Sequence, residues 1–381
     1  MIMRGMVYLM KKIIVIPDSF KGSMSSTLVT DILSSSIDKY MSTNVVKVPI
    51  ADGGEGSVDC FLQIRKGKKI YTKVHSPDFK MINAYFGLLE NETAVIEIAE
   101  SSGLTKQDQK HPVDSNTYGF GELIKKALDY HCKKIYLCLG GSATTDCACG
   151  MACALGAGFY DDSHNAFIPL GASLSKVKSI DITSLDSRIH ETKFIVMSDV
   201  ENPLHGKNGA AYIFGPQKGA SKKEVQLLDE GLKHISKLLE DIYHIDPLTN
   251  GAGAAGGAGY GCLTFLNAEI NSGIEGFLEL VHFDDLVKDC DLIVTGEGCL
   301  DKQSLMGKVL SGLKKHAPDT KIVSFCGKCE LLKDILEQNN IEMVEIANGI
   351  NTTESINNGP FYLKKASDKY FGNLSLAEKS L

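Results

Sequence analysis

Five loops that combine glycine with acidic, hydroxyl or lysine side chains constrain the fold of this chain more than any other feature. Four of them directly follow a short apolar run typical of a buried strand. In an open parallel sheet such loops share the carboxyl edge, where ligands bind. The pattern therefore predicts an α/β fold with a ligand site at a sheet edge. The loops are IPDSFKGS (16–23), PIADGGEGS (49–57), LGGSATTD (139–146), SDVENPLHGKNGA (198–210) and VTGEGCLDKQS (294–304).

Both ends of the chain repeat the order strand, loop, helix. Residues 13–16 and 45–50 are apolar runs, and each is followed by a polar loop and then by apolar residues at helical spacing. The last third predicts further strands in the same way, at 291–295, 321–325 and 343–346. Tandem units of this kind indicate a parallel sheet.

The middle of the chain differs, with longer glycine-rich stretches, an alternating segment at 93–98 and an amphipathic helix through 225–239. We therefore expect a discontinuous Rossmann-like parallel-sheet domain, formed by residues 10–75 and 285–381. A second α/β domain, residues 76–284, is inserted between its two parts. Residues 1–9 are left out of the fold, and Met10 as well as Met1 is kept as a candidate start.

The chemistry of the loops points to phosphate and a metal ion. Glycine lets the backbone approach a phosphate, and a following helix N-terminus adds a favourable dipole, as expected where GGSATT opens the apolar helix at 151–155. Carboxylates crowded at a sheet edge need a compensating cation, and Mg²⁺ prefers oxygen ligands and phosphates. Phosphoryl transfer uses both a phosphate-binding loop and a metal ion held by carboxylates. The acidic residues are Asp18, Asp52, Glu55, Asp199, Glu297 and Asp301, with Lys21 and Lys308 as cationic contacts.

Composition excludes several other classes of function. The chain of 381 residues has a formal net charge of −7 and no basic stripe, which disfavours a nucleic-acid partner. No apolar run is long enough to span a membrane. Eleven scattered cysteines fit a reducing compartment, so a cytoplasmic location is expected. The G-x-G-x-x-G match at 251–256 lacks a preceding strand, and no Walker A or protein-kinase signature occurs.

Taken in order, the loop motifs resemble the type I glycerate kinase family, the bacterial D-glycerate kinases. The resemblance runs from Met10 to the C-terminus and includes FGPQKGA and GAGAAGGAGYG in the middle third. It implies ATP and Mg²⁺ as cosubstrate and cofactor, and D-glycerate as acceptor. It also implies a two-domain fold with a middle domain inserted into a Rossmann-like one. The implied product is phosphoglycerate, with 2-phosphoglycerate favoured over 3-phosphoglycerate.

The resemblance also supplies candidate site residues, with roles held as hypotheses. Lys21, Asp52 and Asp199 are the catalytic candidates, and Glu297 and Asp301 the metal candidates. The remaining residues are candidates for binding substrate or nucleotide: Asp18, Ser19, Gly53, Gly54, Glu55, Gly140, Gly141, Ser142, Asp146, Asn202, Gln303 and Lys308.

The chain departs from the family pattern at a few positions. Thr145 replaces the usual Asn after SAT, Phe120 replaces Thr before GELI, and Cys299 replaces Arg after GEG. These departures leave two alternatives open, a kinase for another small hydroxy acid and a non-catalytic relative that binds glycerate or nucleotide. The oligomeric state is open as well, a homo-oligomer included.

Overall fold

The structure is a computed structural model that describes residues 10–20, 22–50, 53–54, 56–301, 304 and 309–380. The chain divides into two compact units, one formed by Met1–Ala51 with Phe277–Leu381, the other by Asp52–Gly276. The first unit is discontinuous and the second is inserted into it along the chain. Residues 52–75, which the sequence analysis groups with the first domain, here belong to the second unit, because residues 67–75 form an edge strand of its sheet.

A five-stranded sheet forms the centre of the first unit. All of its strands are parallel, in the spatial order β13, β12, β11, β1, β2. Counted in chain order within this sheet, that arrangement is 2-1-3-4-5, which reverses direction between β1 and β11. The strands are β1 (Lys12–Val15), β2 (Asn44–Lys47), β11 (Leu292–Leu300), β12 (Ile322–Cys329) and β13 (Ile341–Glu345).

Helices cover the sheet of the first unit. Helix α1 begins after Ser25, whose side chain accepts a hydrogen bond from the Leu28 N–H and so satisfies one of the free amides of the first turn. Its buried face, Val29, Leu33 and Ile37, packs into the core of this unit with strand residues such as Ile13. The helices are α1 (Ser26–Tyr40), α10 (Phe283–Leu286), α11 (Val309–His316), α12 (Lys333–Gln338), α13 (Thr352–Asn357) and α14 (Gly359–Ser380).

A six-stranded mixed sheet forms the centre of the second unit, in the order β10, β9, β6, β5, β4, β3. Strands β5, β6, β9 and β10 are parallel, whereas β4 runs antiparallel to both of its neighbours. A separate two-stranded sheet joins β7 and β8. The strands are β3 (Gly67–His75), β4 (Met81–Leu89), β5 (Thr93–Glu97), β6 (Lys134–Cys138), β7 (Gly158–Tyr160), β8 (Ser179–Asp181), β9 (Lys193–Met197) and β10 (Glu269–Asn271).

The long amphipathic helix of the second unit, α7, begins with a capping box between Ser221 and Glu224. Its apolar face joins a core that also receives Phe120 and Phe194. Helix α9 contains the second boundary between the units. The helices are α2 (Ser57–Ile64), α3 (Ala99–Ser102), α4 (Tyr118–Asp129), α5 (Cys149–Ala154), α6 (Ala210–Phe214), α7 (Lys222–Tyr243), α8 (Ala254–Phe265) and α9 (Gly273–Leu280).

The structure confirms the predicted fold class, an α/β protein with parallel sheets and a second α/β unit within a Rossmann-like one. It also shows that the G-x-G-x-x-G match does not follow a strand, because it lies in a turn and the distorted start of α8. Among the described residues, no helix is long and apolar enough to cross a membrane.

Candidate active site

The first loop extends along the carboxyl end of β11 in the first unit. Hydrogen bonds run from the Ile16 N–H to the Val294 carbonyl, at 2.8 Å, and from the Asp18 N–H to the Gly296 carbonyl, also at 2.8 Å. The Thr295 hydroxyl closes the same edge by donating to the Ile16 carbonyl at 2.8 Å. These bonds fix the loop after β1 along β11 itself. The strand continues to Leu300, whereas the sequence analysis expected it to end at 295 and a loop to follow.

A cavity of about 610 Å³ opens at this edge of the first unit. Four of the predicted site residues line it together: Asp18, Ser19, Glu297 and Asp301. The cavity lies where the strand order reverses, between β1 and β11, which is the usual ligand position in a doubly wound sheet. Residues between 345 and 359, at the end of β13 and after it, also line the cavity.

Ser304 links the two metal candidates. Its hydroxyl donates to Glu297 Oε2 at 2.6 Å, and its N–H donates to Asp301 Oδ1 at 3.1 Å. Among the described residues, no group of three or more His, Cys, Asp or Glu side chains is arranged to hold a metal ion. Mg²⁺ in phosphate-transfer enzymes commonly takes one or two carboxylates together with substrate phosphates, so this pair of carboxylates fits an ion that binds with a nucleotide.

In the second unit, the second and third loops meet at the carboxyl end of the sheet. The Gly140 N–H donates to the Gly53 carbonyl at 3.0 Å, and a Cβ on Gly140 would lie 2.6 Å from the Gly54 Cα. A Cβ on Gly53 would lie 2.7 Å from the Met197 carbonyl oxygen at the end of β9. Glycine is therefore required on both sides of this contact. The next residue, Gly141, is exposed, so its backbone is accessible to a phosphate.

Glu97, at the end of β5, holds the start of α2 next to this contact. Its two carboxylate oxygens accept hydrogen bonds from the Gly56 N–H at 3.0 Å and the Val58 N–H at 2.7 Å. Burial raises the pKa of the Glu97 carboxyl, while the two backbone hydrogen bonds oppose that rise. The sequence analysis did not select Glu97, although it closes the alternating segment that predicted β5.

Lys218 is a second residue that the sequence analysis did not select. Its ammonium group is buried beneath the third loop and donates to the Ser142 hydroxyl at 2.9 Å and the Thr144 carbonyl at 2.6 Å. Burial lowers the pKa of Lys218 to about 7, and the nearby Asp146 charge partly offsets this effect. The signal in the sequence was a lysine within FGPQKGA, one of the motifs that carry the family resemblance.

The predicted ligand residue Asp146 lies inside the protein. One carboxylate oxygen, Oδ2, accepts from the N–H and hydroxyl of Thr117, at 2.8 and 2.7 Å, and from the Gly150 N–H at 3.2 Å. Its side chain is fully buried, and burial raises the pKa of this carboxyl. Asp146 thus ties the third loop to the starts of α4 and α5, and it has no surface from which to contact a substrate.

Asp199 follows β9 and is exposed. Its Oδ1 accepts a hydrogen bond from the Gly273 N–H at 2.7 Å, at the start of α9. Asn202 lies in the same loop, and its side-chain amide donates to the Asn208 carbonyl at 2.8 Å. An exposed carboxylate whose position is fixed by a backbone hydrogen bond is suited to accept a proton or to orient a hydroxyl group.

The described site residues thus form two groups, one in each unit. The first contains the four residues that line the cavity, and the second contains Gly53, Gly54, Gly140, Gly141, Ser142, Asp199 and Asn202, with Asp146 behind them. Five further predicted residues lie outside the described part of the chain: Lys21, Asp52, Glu55, Gln303 and Lys308.

The positions that depart from the family pattern differ in exposure. Phe120 and Thr145 are both buried, and Phe120 belongs to the core of the second unit. Cys299 instead lines the cavity of the first unit. Of these three departures, only Cys299 has a side chain placed to contact a ligand.

Comparison with known proteins decides the family. The model of the glycerate kinase family matches residues 13–374. The chain belongs to the glycerate kinase family. It is therefore an enzyme of a kinase family, and the resemblance predicted from the loop motifs is confirmed.

Individual members of the glycerate kinase family match almost the whole chain. A glycerate kinase of Bacillus subtilis is 38% identical over 338 residues, covering 87% of this chain and 88% of the relative. The glycerate 2-kinase of Escherichia coli is 37% identical over 343 residues, covering 87% and 89%. A crystal structure from Salmonella typhimurium LT2, of a protein named glycerate kinase 2, superimposes with a TM-score of 0.81 at 32% identity and covers 97% of this chain and 99% of that one.

Proposed function

We propose that this glycerate kinase transfers the γ-phosphoryl group of ATP to D-glycerate, with Mg²⁺, and forms 2-phosphoglycerate. The observation that carries the proposal is the contact between Gly53 and Gly140 at the end of the sheet, which leaves a glycine-lined backbone surface beside an exposed carboxylate. Phosphoryl transfer needs such positioning elements and little covalent chemistry from the protein.

The roles of the described residues follow from their placement. The exposed backbone of Gly141 would contact phosphate oxygens, with Lys218 and Ser142 holding the loop from below. Asp199 would accept the proton of the glycerate hydroxyl, because its carboxylate is exposed and the Gly273 N–H fixes its position. Glu297 and Asp301 would hold the Mg²⁺ ion, which neutralises charge that develops on the phosphates.

The choice of the 2-position rests on relatedness. The Escherichia coli relative, at 37% identity over most of both chains, is named a glycerate 2-kinase. A cytoplasmic location is part of the same proposal, since none of the eleven cysteines forms a disulfide, as is usual in a reducing compartment.

Phosphorus NMR of the reaction product tests the position of transfer. A phosphate on carbon 2 of glycerate couples to one vicinal proton and gives a doublet. A phosphate on carbon 3 couples to two protons and gives a triplet. We expect the doublet, and a triplet would reassign the product to 3-phosphoglycerate.

A further inference from the structure

The cavity of the first unit has two chemically different walls. The loop after β1 and the carboxyl-terminal part of β11 contribute the acidic side, with Asp18, Glu297 and, directly after the strand, Asp301. The apolar side consists of Phe20 and of residues that follow β13: Ile346, Ala347, Ile350 and Ile356. A pocket with apolar walls and a few convergent polar groups is the usual form of a small-molecule site.

The charge of this cavity disfavours glycerate as its occupant. The described residues that line it include four carboxylates, Asp18, Glu297, Asp301 and Glu345, and one ammonium group, that of Lys328. Lys328 is already paired with Glu330 at 2.6 Å. Because glycerate is an anion of three carbons without an apolar surface, it would be repelled here and would leave the apolar wall in contact with water.

A nucleoside matches the same walls better. A purine ring offers a large flat apolar surface for Ile346, Ile350 and Ile356, and uncharged ribose hydroxyls are donors to carboxylates. The volume of about 610 Å³ is in the range of sites that enclose ligands much larger than glycerate. The reversal of strand order between β1 and β11 is also where doubly wound sheets bind nucleotides.

We propose that this cavity binds the nucleoside part of the phosphoryl donor, with the base against the apolar wall and the ribose towards Asp18 and Glu345, so that Glu297 and Asp301 keep the Mg²⁺ ion of the proposed function. The inference rests on the proposed function in one respect, since it takes the nucleotide to be the donor. It goes beyond that function by assigning the base to apolar residues that follow β13 and the ribose to Asp18 and Glu345.

The experiment measures binding of Mg-ADP by isothermal titration calorimetry to the wild-type protein and to the double variant Ile350→Ala/Ile356→Ala. Both isoleucines are 39% exposed, so the truncation removes part of the apolar wall without opening the core. Leu332→Ala is the matched control, because Leu332 is 70% exposed in the same unit and does not line the cavity. Circular dichroism melting curves establish that all three proteins are folded.

We expect the double variant to raise the Kd for Mg-ADP about tenfold, because two apolar contacts with the base are lost, and Leu332→Ala to leave it unchanged. Adenosine, which carries no phosphates, should compete with Mg-ADP for the wild type and less well for the double variant. An unchanged Kd in the folded double variant would overturn the inference. So would a raised KM for glycerate at an unchanged Kd for Mg-ADP, since the cavity would then belong to the acceptor.

Failure of the proposed function would look different. One result is a Kd for Mg-ADP that rises in the double variant, together with no glycerate-dependent turnover by the wild type. It would refute the function and support the nucleoside site. The opposite result is glycerate-dependent turnover by the wild type together with the same Kd for Mg-ADP in the wild type and the double variant. It would support the function and refute the site.

Discussion

The ammonium group of Lys218 lies 2.9 Å from the hydroxyl of Ser142, although the two residues are 76 positions apart in the chain. The same group donates to the Thr144 carbonyl at 2.6 Å. Lys218 is only 3% exposed, so the third glycine loop is held from within the protein by a buried cation. Such an arrangement costs desolvation energy, and it makes the stability of the protein depend on pH.

The first prediction concerns that pH dependence. Burial lowers the pKa of Lys218 to about 7 in the folded protein, whereas an unfolded lysine titrates near its ordinary value of about 10.4. Between these two values the unfolded chain binds more protons than the folded one, so the contribution of Lys218 to stability increases as pH rises from about 7 to about 10. The slope is at most about 1.4 kcal/mol per pH unit.

Urea denaturation at several pH values checks this prediction with Lys218→Met as the reference variant. Both proteins share every other titrating group. The free energy of unfolding of the wild type should therefore increase relative to that of the variant as pH rises from 7 to 10. Parallel pH profiles for the two proteins would contradict a buried lysine with a lowered pKa.

The second prediction concerns the contact between the second and third loops. A Cβ on Gly53 would lie 2.7 Å from the Met197 carbonyl oxygen, and the backbone at Gly53 has a φ of +80°. We expect Gly53→Ala to lower the free energy of unfolding by about 2–4 kcal/mol, from overpacking together with left-handed strain. It should also lower kcat, because the loop must shift away from Met197, and this shift disturbs the hydrogen bond between Gly140 and Gly53.

Gly206→Ala is the matched control for this substitution. Gly206 has a φ of +90°, but a Cβ there would meet nothing within 4 Å. The control therefore carries the backbone strain of about 1–2 kcal/mol without the clash. Chemical denaturation measures the loss of stability in each variant. Equal losses would show that a Cβ at position 53 does not clash with the Met197 carbonyl oxygen.

The third prediction concerns Cys299, which lines the acidic cavity where the family pattern has arginine. Cys299→Arg adds a positive charge to a wall of carboxylates. We expect the KM for Mg-ATP to fall about threefold to fivefold, the scale of an exposed ion pair of up to about 1 kcal/mol. Steady-state kinetics should show this effect for Cys299→Arg and not for Cys299→Ser, which keeps the size and removes the thiol. A KM for Mg-ATP that stays the same or rises in the arginine variant would argue against phosphates near this wall.

The fourth prediction concerns Asp199 as the group that accepts the hydroxyl proton. Asp199→Asn retains the Oδ1 acceptor for the Gly273 N–H, so the loop should keep its position while the negative charge is lost. We expect kcat to fall by about 100-fold or more, the usual contribution of a general base. Asp246→Asn is the control, since Asp246 also accepts a backbone hydrogen bond, from Leu248, in an exposed loop. Turnover at the wild-type level in Asp199→Asn would exclude this role.

The parts of the fold that the sequence predicts are those with local periodicity. The apolar run at 13–16 and the helical spacing that follows it correspond to β1 and α1, and the amphipathic pattern at 225–239 lies within α7. The hairpin of β3 and β4 was not predicted. Strand β3 lies at the sheet edge and mixes lysines with apolar residues, and the first half of β4 mixes exposed residues with buried ones. Helix α14 was missed because it shows little amphipathic contrast along its 22 residues.

Local sequence patterns predict the candidate site only in part, as they do the fold. The spacing of motifs predicts which loops carry the chemistry, but it does not distinguish a residue on the ligand side from one that supports the loop. Asp146 is a residue type that commonly binds ligands. In the structure its buried carboxylate instead accepts hydrogen bonds at the starts of α4 and α5. Lys218 and Glu97 act across 76 and about 40 positions, so only the folded chain shows what they contact.

The most direct test of the central claim is ADP release by the purified protein with Mg-ATP and D-glycerate, followed by coupling to enolase without phosphoglycerate mutase. Enolase acts on 2-phosphoglycerate and not on 3-phosphoglycerate. The proposed function predicts that ADP release depends on D-glycerate and that enolase converts the product directly. A folded protein that releases no ADP in response to D-glycerate would contradict the claim.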